Sequence, residues 1–327
     1  MTSGAGIRLE VVEADALAIE ADALVLKYAQ ALYGADARAA RVSGLNVSAL
    51  PRPGGYHRVS APAGIAARTL LMLGTVPLRQ FDYAAIRDFG RRALGAIASE
   101  VPDARVIVMT IHGVGFGLDE VESFDSQLAG ILDAIRKRDV PRPLERVIIA
   151  ELSSGRAARM QERLRTVLQG ATPVIATGAA GADVLERNSV ERFERVGFGS
   201  SDREHAFVAM PFSESFEDLF HYGIANAVRS VGLLCERIDQ QAFTGDVLER
   251  LKQQIESARI VVADLSDSNP NVFLEVGYAW GCRVPTVLLS RKECDVKFDV
   301  RGQRLLRYSH IKDAEQKLAN ELQALLA

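Results

Sequence analysis

Two carboxylates late in the chain have the type and spacing for chemistry on a glycosidic bond. Asp264 closes a β-branched run at 259–263, which is typical of a buried parallel strand. Asn269 and Pro270 then indicate a helix start, because asparagine caps the first N–H groups and proline suits the first turn. Glu275 falls in the second turn of that helix, near the sheet edge where α/β proteins bind ligands. A carboxylate placed there can attack or stabilise an electron-poor sugar carbon.

Each of these residues also has a purely structural interpretation. An acid early in a helix complements the helix dipole, so Glu275 need not be catalytic. Asp264 can cap the loop after its strand, and Asn269 fits a helix cap better than a catalyst. Asn271 would at most orient the loop. Gly277, further along the helix, has no side chain that would keep a ligand or a neighbouring helix away.

The residues expected to contact substrate follow other strands of the same predicted sheet. The strand at 206–212 ends in apolar residues that would form a wall against a base, with simple packing as the alternative. Polar segments at 213–215 and 239–246 would line the same edge. We therefore expect the substrate-binding residues to be Met210, Pro211, Phe212, Asp239, Asp246, Asn269 and Asn271.

Residues 259–281, together with 205–220, resemble the nucleoside 2-deoxyribosyltransferase superfamily and its TIR-like relatives. The resemblance covers the C-terminal third of the chain and implies that Glu275 is the nucleophile that expels the base from a nucleoside. It also implies that Asp264 helps to hold base or sugar. The transferases have an aspartate six residues before the glutamate, where this chain has Asn269. That departure argues against base exchange on free deoxynucleosides.

Three glycines after a predicted strand form a second candidate site. Gly113, Gly115 and Gly117 lie in a loop whose backbone N–H groups can approach a phosphate, and glycine permits that approach. A tight strand-to-helix turn with no ligand is the alternative. This loop and the opening segment at 11–29 resemble macro domains and, more distantly, the N-terminal domain of leucine aminopeptidases.

The resemblance to macro domains implies that Asp15 contacts the adenine of ADP-ribose and that the three glycines cradle its diphosphate. The family's asparagine pair is absent, and Lys27, Tyr28 and Gln30 occupy that place. Removal of ADP-ribose from a target by this domain is therefore not expected, whereas binding of an ADP-ribose-like nucleotide is.

Strand-like and helix-like segments alternate along most of the chain, which predicts covered, mostly parallel sheets. In the first half, we predict strands at 7–13, 23–27, 68–75, 104–111 and 145–152, and helices at 83–97, 124–135 and 156–168. In the second half, we predict strands at 206–212, 233–239, 259–264 and 284–290, and helices at 216–231, 244–257, 270–282 and 314–326.

The predicted fold class is α/β with two domains. Residues 1–170 would form a macro-like mixed-sheet α/β/α domain that senses a nucleotide, and residues 171–204 a junction. Residues 205–327 would form a flavodoxin-like five-stranded doubly wound parallel sheet that carries the catalytic residues.

Composition argues against several classes of function. The 327 residues carry a net charge of −3, which offers no general attraction to nucleic acid or anionic lipid. The sequence has neither the long apolar run of a membrane span nor the pattern of a secretory signal. Cys235, Cys282 and Cys294 fit neither a metal site nor a disulfide framework. We therefore expect a cytoplasmic protein with no metal, no cofactor, and no nucleic-acid or membrane partner.

Cleavage of NAD is the favoured function, because nicotinamide is a good cationic leaving group; nucleosides and nucleoside monophosphates are alternative substrates. A macro-like domain joined to this second domain resembles effectors of bacterial anti-phage signalling. That resemblance implies activation by an ADP-ribose-like or cyclic nucleotide from a partner enzyme, with homo-oligomerisation. A non-catalytic nucleotide-binding sensor or scaffold is the main alternative, and a salvage nucleoside 2-deoxyribosyltransferase is a further one.

Overall fold

The computed structural model describes residues 6–168, 174–175, 193–200, 202–238, 245–294 and 304–327. Contacts between residues divide the chain into two compact units. Unit 1 comprises Met1–Gly113 and Val121–Ser201, and unit 2 comprises Val114–Glu120 and Asp202–Ala327. Among the described helices, none combines the length and the apolar character that a membrane crossing requires.

Unit 1 contains a mixed sheet. Its strands are β1 (Ile7–Glu13), β2 (Ala23–Tyr28), β3 (Tyr56–Ser60), β4 (Thr69–Gly74), β5 (Val106–Thr110), β6 (Arg146–Glu151) and β7 (Val174–Ile175). They lie in the order β3-β4-β2-β5-β6-β1-β7. The pairs β3–β4 and β1–β7 at the two ends are antiparallel, and the pairs between them are parallel. β2 and β4 are buried along their whole length, as expected for central strands covered on both faces.

Helices cover the sheet of unit 1. They are α1 (Gly34–Ser43), α2 (Tyr83–Glu100), α3 (Glu120–Arg136) and α4 (Ser154–Leu168). α2 begins where the Asp82 carboxylate accepts a hydrogen bond from the Ala85 N–H at 2.8 Å. α2 and α3 approach each other closely because glycine stands at the contact. A Cβ atom built on Gly130 would lie 2.0 Å from the carbonyl oxygen of Arg87.

Unit 2 contains a parallel sheet of five strands in the order β12-β11-β10-β8-β9. The strands are β8 (His205–Ala209), β9 (Leu234–Glu236), β10 (Ile260–Asp264), β11 (Thr286–Arg291) and β12 (Leu305–Tyr308). In order along the chain this is the 2-1-3-4-5 arrangement of flavodoxin-like folds. The direction of winding therefore reverses between β8 and β10, at the centre of the sheet.

Helices lie on both faces of this second sheet. α5 (Glu214–Asp218) continues through a π-helical stretch, Leu219–Ile224, into α6 (Ala225–Ser230); α7 (Gly245–Ser257), α8 (Pro270–Gly281) and α9 (Ile311–Leu326) follow. Alternate residues of β10 enter separate apolar cores, because successive strand side chains point to opposite faces. Val262 packs with residues of α5, α6 and α9, whereas Val261 packs with residues of α7 and α8.

The predicted fold class, an α/β chain with a mixed sheet followed by a five-stranded doubly wound parallel sheet, is confirmed. The sequence patterns miss β3, β12 and α1. β3 alternates exposed and half-buried residues, and β12 has only four residues, so neither shows a buried apolar run. The predicted strand at 206–212 is too long, because β8 ends at Ala209 and the next three residues belong to the following loop.

We expect Gly130→Ala to destabilise unit 1 by roughly 1–3 kcal/mol, because the added methyl group would collide with the backbone of α2. Gly277→Ala should instead stabilise unit 2 by about 0.5–1 kcal/mol, since Gly277 lies inside a helix and its added Cβ would meet no atom within 4 Å. Urea unfolding of the wild type and both variants measures these effects. Equal stability of Gly130→Ala and the wild type would contradict the close helix contact.

Candidate functional site

The carboxyl ends of β8 and β10 define the candidate site of unit 2. Open parallel sheets bind ligands at the point where their winding reverses, and these two strands flank that point. Ala209 pairs with Ala263, so the residues that follow both strands leave the sheet side by side. Met210 is buried there, as is Pro211, and Phe212 is half-buried. The residues of the predicted apolar wall therefore lie at this edge, next to Asp264.

Asp264 is fully buried, and both of its carboxylate oxygens accept hydrogen bonds. Oδ1 accepts from the backbone N–H of Ser266 at 2.9 Å, and Oδ2 accepts from the Tyr308 hydroxyl at 2.8 Å. Burial raises the pKa of Asp264, while these hydrogen bonds and the nearby charge of Arg291 oppose the rise. The carboxyl group is thus held in one orientation. Each oxygen retains a lone pair that could accept from a ligand.

Tyr308, which the sequence patterns did not single out, completes this arrangement. It ends β12, is buried, and places its hydroxyl 3.3 Å from the Ser266 Oγ as well as beside Asp264. The Ser266 Oγ accepts the backbone N–H of Arg291 at 2.9 Å. Burial raises the pKa of Tyr308, so the hydroxyl stays neutral and can donate. The ends of β10, β11 and β12 are therefore joined by one hydrogen-bonded network.

Glu275 lies in the second turn of α8, and only 5% of its surface is exposed. Val272, Val276 and Ala279 on the same side of the helix are buried, which places Glu275 on the side that packs toward the sheet. Among the described residues, no donor or cation bonds its carboxyl group. Burial alone raises the pKa of Glu275 to about 8, so the group is mainly protonated at neutral pH. A buried, unpaired acid of this kind is typical of functional sites.

The other predicted substrate-binding residues fall into two groups. Asn269 caps α8, because its side-chain oxygen accepts the Asn271 N–H at 2.9 Å, and Asn271 itself is exposed. The cap leaves the amide nitrogen of Asn269 as its remaining donor group. Asp239 lies outside the described residues, as does the side chain of Asp246, whose backbone belongs to α7.

A buried arginine that was not predicted lies at the same edge, after β9. Arg237 donates to the Glu217 Oε1 at 2.8 Å, and its guanidinium group stacks 3.9 Å from the centroid of the Phe220 ring. Glu217 also contacts the His221 Nε2 at 3.2 Å. The hydrogen bond to His221, helped by Arg237 and opposed by burial, lowers the pKa of Glu217 to about 2. Glu217 is therefore ionised and neutralises Arg237.

In unit 1, Asp15 borders a cavity of about 310 Å³. The cavity is lined by Asp15, Leu17, Ala18, Arg38, Arg41, Val42 and Gly64. The Asp15 Oδ1 accepts the Leu17 N–H at 3.1 Å and pairs with the Arg38 guanidinium group. Its Oδ2 has no partner among the residues described. The cavity thus offers one carboxylate oxygen and the positive charge of Arg41 to a ligand, while the charge of Arg38 is paired with Asp15.

The three loop glycines all adopt left-handed backbone angles, with φ of +85° at Gly113, +79° at Gly115 and +91° at Gly117. Other residues rarely adopt these angles, which explains the spacing of the glycines. The Gly117 N–H donates to the Arg237 carbonyl at 3.2 Å, and the Gly117 carbonyl accepts from the Gln254 side chain at 2.6 Å. Both polar groups of Gly117 are therefore used within unit 2, and its N–H is not free for a phosphate.

The place of the asparagine pair expected in macro domains is occupied by a buried ion pair. The Lys27 Nζ lies 2.8 Å from the Asp36 Oδ2, and both side chains are almost completely buried. Burial raises the pKa of Asp36, and Lys27 opposes that rise. His112 lies near Lys27, and burial keeps its pKa well below the ordinary value, so its ring is neutral. Lys27 is thus neutralised within unit 1 and not presented to a ligand.

No protein-family model matches the chain, and no curated protein does. Among solved structures, an Oceanobacillus iheyensis macrodomain with ADP is similar over 51% of this chain and 95% of its own, at 17% identity and a TM-score of 0.41. A Trypanosoma brucei macrodomain in complex with ADP is similar over 48% of this chain and 68% of its own, at 16% identity and a TM-score of 0.40. Scores and identities this low assign neither a family nor an activity to this chain.

The raised pKa of Glu275 predicts a specific dependence of stability on pH. Because the folded-state pKa is about 8 and the ordinary pKa is 4.5, ionising Glu275 costs folding free energy as pH rises through this window. Glu275→Gln removes that cost, so the variant should gain stability over the wild type with rising pH. The gain should reach a few kcal/mol above the window.

Thermal unfolding of the wild type and Glu275→Gln at about pH 5 and about pH 9 measures this gain. Glu249→Gln is the matched control, since Glu249 is exposed on α7 and pairs only with Lys252 among the described residues. A constant difference between Glu275→Gln and the wild type across the window would show that Glu275 is not a buried neutral acid.

Proposed function

We propose that unit 2 cleaves the bond between base and ribose in a nucleotide, with NAD as the favoured substrate. The observation that carries this proposal is Glu275, a buried carboxyl group with no partner among the described residues, on the helix that starts beside the winding reversal of a parallel sheet. Burying such a group without a partner costs stability, and functional sites are where this cost is commonly found.

Glu275 must be ionised to stabilise or attack the anomeric carbon. The pyridinium ring of NAD carries a positive charge, and a cation placed near a buried carboxyl group lowers its pKa. Substrate binding would therefore turn a neutral acid into a carboxylate where the oxocarbenium-like transition state develops. The bond between C1′ and the ring nitrogen breaks, its electron pair neutralises nicotinamide, and water then adds to C1′ and releases a proton. Transfer to another acceptor is the alternative outcome.

The other residues at the edge have matching roles in this proposal. Asp264, held by Ser266 and Tyr308, would accept a hydrogen bond from a ribose hydroxyl through a remaining lone pair. Phe212, together with Met210 and Pro211, would provide an apolar wall for the base. Their positions beside Asp264 support these roles.

To test this proposal, purified protein is incubated with NAD, and nicotinamide release is followed by chromatography. We expect Glu275→Gln to lower the rate by about a hundredfold or more, because the variant cannot supply a carboxylate. Glu249→Gln, which removes an exposed carboxylate of the same unit, should keep the wild-type rate. Unchanged release in Glu275→Gln would reject the mechanism.

The second part of the proposal is that the unit 1 cavity binds an ADP-ribose-like or cyclic nucleotide that switches base release on. This arrangement would suit an effector in antiviral signalling, assembled from several copies of the chain and served by an enzyme that makes the messenger. The support within this chain is the cavity itself, where the Oδ2 of Asp15 can accept from an adenine amino group and Arg41 would bind a diphosphate oxygen.

We expect ADP-ribose to raise the melting temperature of the protein and Arg41→Ala to reduce that rise, because the variant loses a charge that lines the cavity. Arg68→Ala is the matched control, since Arg68 is exposed on the same unit and does not line this cavity. Base release that appears only with an added nucleotide would support the switch.

The same cavity also favours the alternative of a nucleotide-binding sensor or scaffold without turnover. Stabilisation by ADP-ribose, with no base release under any condition, would establish that alternative. Base exchange on free deoxynucleosides without an activator would instead indicate a salvage transferase.

A further inference from the structure

Arg237 and Arg291 both lie at the carboxyl edge of the unit 2 sheet, and they differ in how their charge is balanced. Arg237 forms an ion pair with Glu217 at 2.8 Å. Arg291 ends β11, and within the described residues no carboxylate forms an ion pair with its guanidinium group. Arg291 therefore keeps a positive charge at this edge that no carboxylate of the described residues neutralises by an ion pair.

Arg291 contacts the segments that follow both strands flanking the winding reversal, namely α5 after β8 and the loop after β10. Its side chain donates to the Ser215 carbonyl at 3.4 Å and lies 5.0 Å from the centroid of the Phe216 ring, in the segment that follows β8. Its backbone N–H donates to the Ser266 Oγ at 2.9 Å, in the loop that follows β10. The residue is half-buried, so its guanidinium group is positioned by neighbours while part of it stays accessible.

Asp264, the nearby acid, forms no ion pair with the Arg291 guanidinium group among the described residues. Asp264 is near enough for Arg291 to influence its pKa, but its oxygens are bonded to Ser266 and Tyr308. Arg291 also hydrogen-bonds the Tyr308 hydroxyl, while its contacts with the Ser215 carbonyl and the Phe216 ring are long, so N–H donors of its guanidinium group remain for a ligand. A guanidinium group has five N–H donors, in a planar geometry that matches the oxygens of a phosphate.

We propose that Arg291 binds a phosphate group of the substrate, so that the site accepts nucleotides in preference to free nucleosides. This inference rests on the proposed function, because it assigns the substrate class of that same site. The exposed hydroxyls of Ser213 and Ser215, which lie 2.9 Å apart at the start of α5, supply further donors for the phosphate oxygens. Arg291 is then the residue that determines this specificity, while Glu275 acts at the sugar.

The test measures binding in the absence of turnover. Calorimetry on Glu275→Gln protein compares nicotinamide mononucleotide with nicotinamide riboside, which differ by one phosphate. We expect the mononucleotide to bind more tightly. Adding Arg291→Gln should weaken its binding by about tenfold to a hundredfold, the usual range for a lost charge-assisted hydrogen bond. Binding of the riboside should not change.

Arg259→Gln is the matched control. It removes the same charge from the amino end of β10, at the opposite edge of the sheet, where Arg259 is half-exposed. Arg291→Lys, which keeps the charge but not the planar donors, should retain part of the preference and serves if Arg291→Gln does not fold. Equal weakening of both ligands by the Arg291 variants, or no weakening of mononucleotide binding, would overturn the assignment.

These outcomes are separate from those of the base-release assay. Phosphate-dependent binding through Arg291 would stand even if Glu275 proved inactive on NAD. Base release from nicotinamide riboside and from the mononucleotide at equal rates, with equal affinity for both, would leave the proposed function intact and reject Arg291 as its specificity residue.

Discussion

The hydrogen bond from Tyr308 to Asp264 is the constraint on which the carboxyl edge of unit 2 depends. It joins the end of the edge strand β12 to the end of the central strand β10, across the intervening β11. A fully buried carboxyl group is costly when its hydrogen bonds are incomplete, so the loss of Tyr308 would leave the Asp264 Oδ2 without its partner. Asp264 in turn holds the first residues of the loop that leads to α8. The start of the loop that leads to α8 is thus fixed by a contact between distant parts of the chain.

The two carboxyl groups at this edge have opposite environments. Asp264 is completely buried but bonded at both oxygens, whereas Glu275 is almost as buried and has no partner among the residues described. Enzymes that assign different roles to two acids commonly do so by separating their environments in this way. One group is fixed by two hydrogen bonds, and the other is mainly protonated near neutral pH.

The sequence predicts what depends on local patterns and misses what depends on distant partners. β10, α8 and the place of Glu275 follow from a β-branched run, a cap and a proline that are adjacent in the chain. Tyr308 was missed because its strand is short and its partner lies 44 positions away. Arg291 was missed because an arginine at the end of a strand normally marks a solvated position. No local pattern indicates that Gly117 binds the carbonyl of Arg237.

The segment Val114–Glu120 gives unit 2 a piece that lies far from the rest of it in the sequence. The Asp119 carboxylate in this segment is buried. Its Oδ2 pairs with Arg229 at 3.0 Å and accepts the Cys235 N–H at 3.0 Å. The chain passes from one unit to the other after Gly113, after Glu120 and after Ser201. A gene fragment that starts at Asp202 would therefore encode an incomplete fold, with Arg229 deprived of its acid. Residues 114–120 would therefore have to accompany residues 202–327 for unit 2 to keep these contacts.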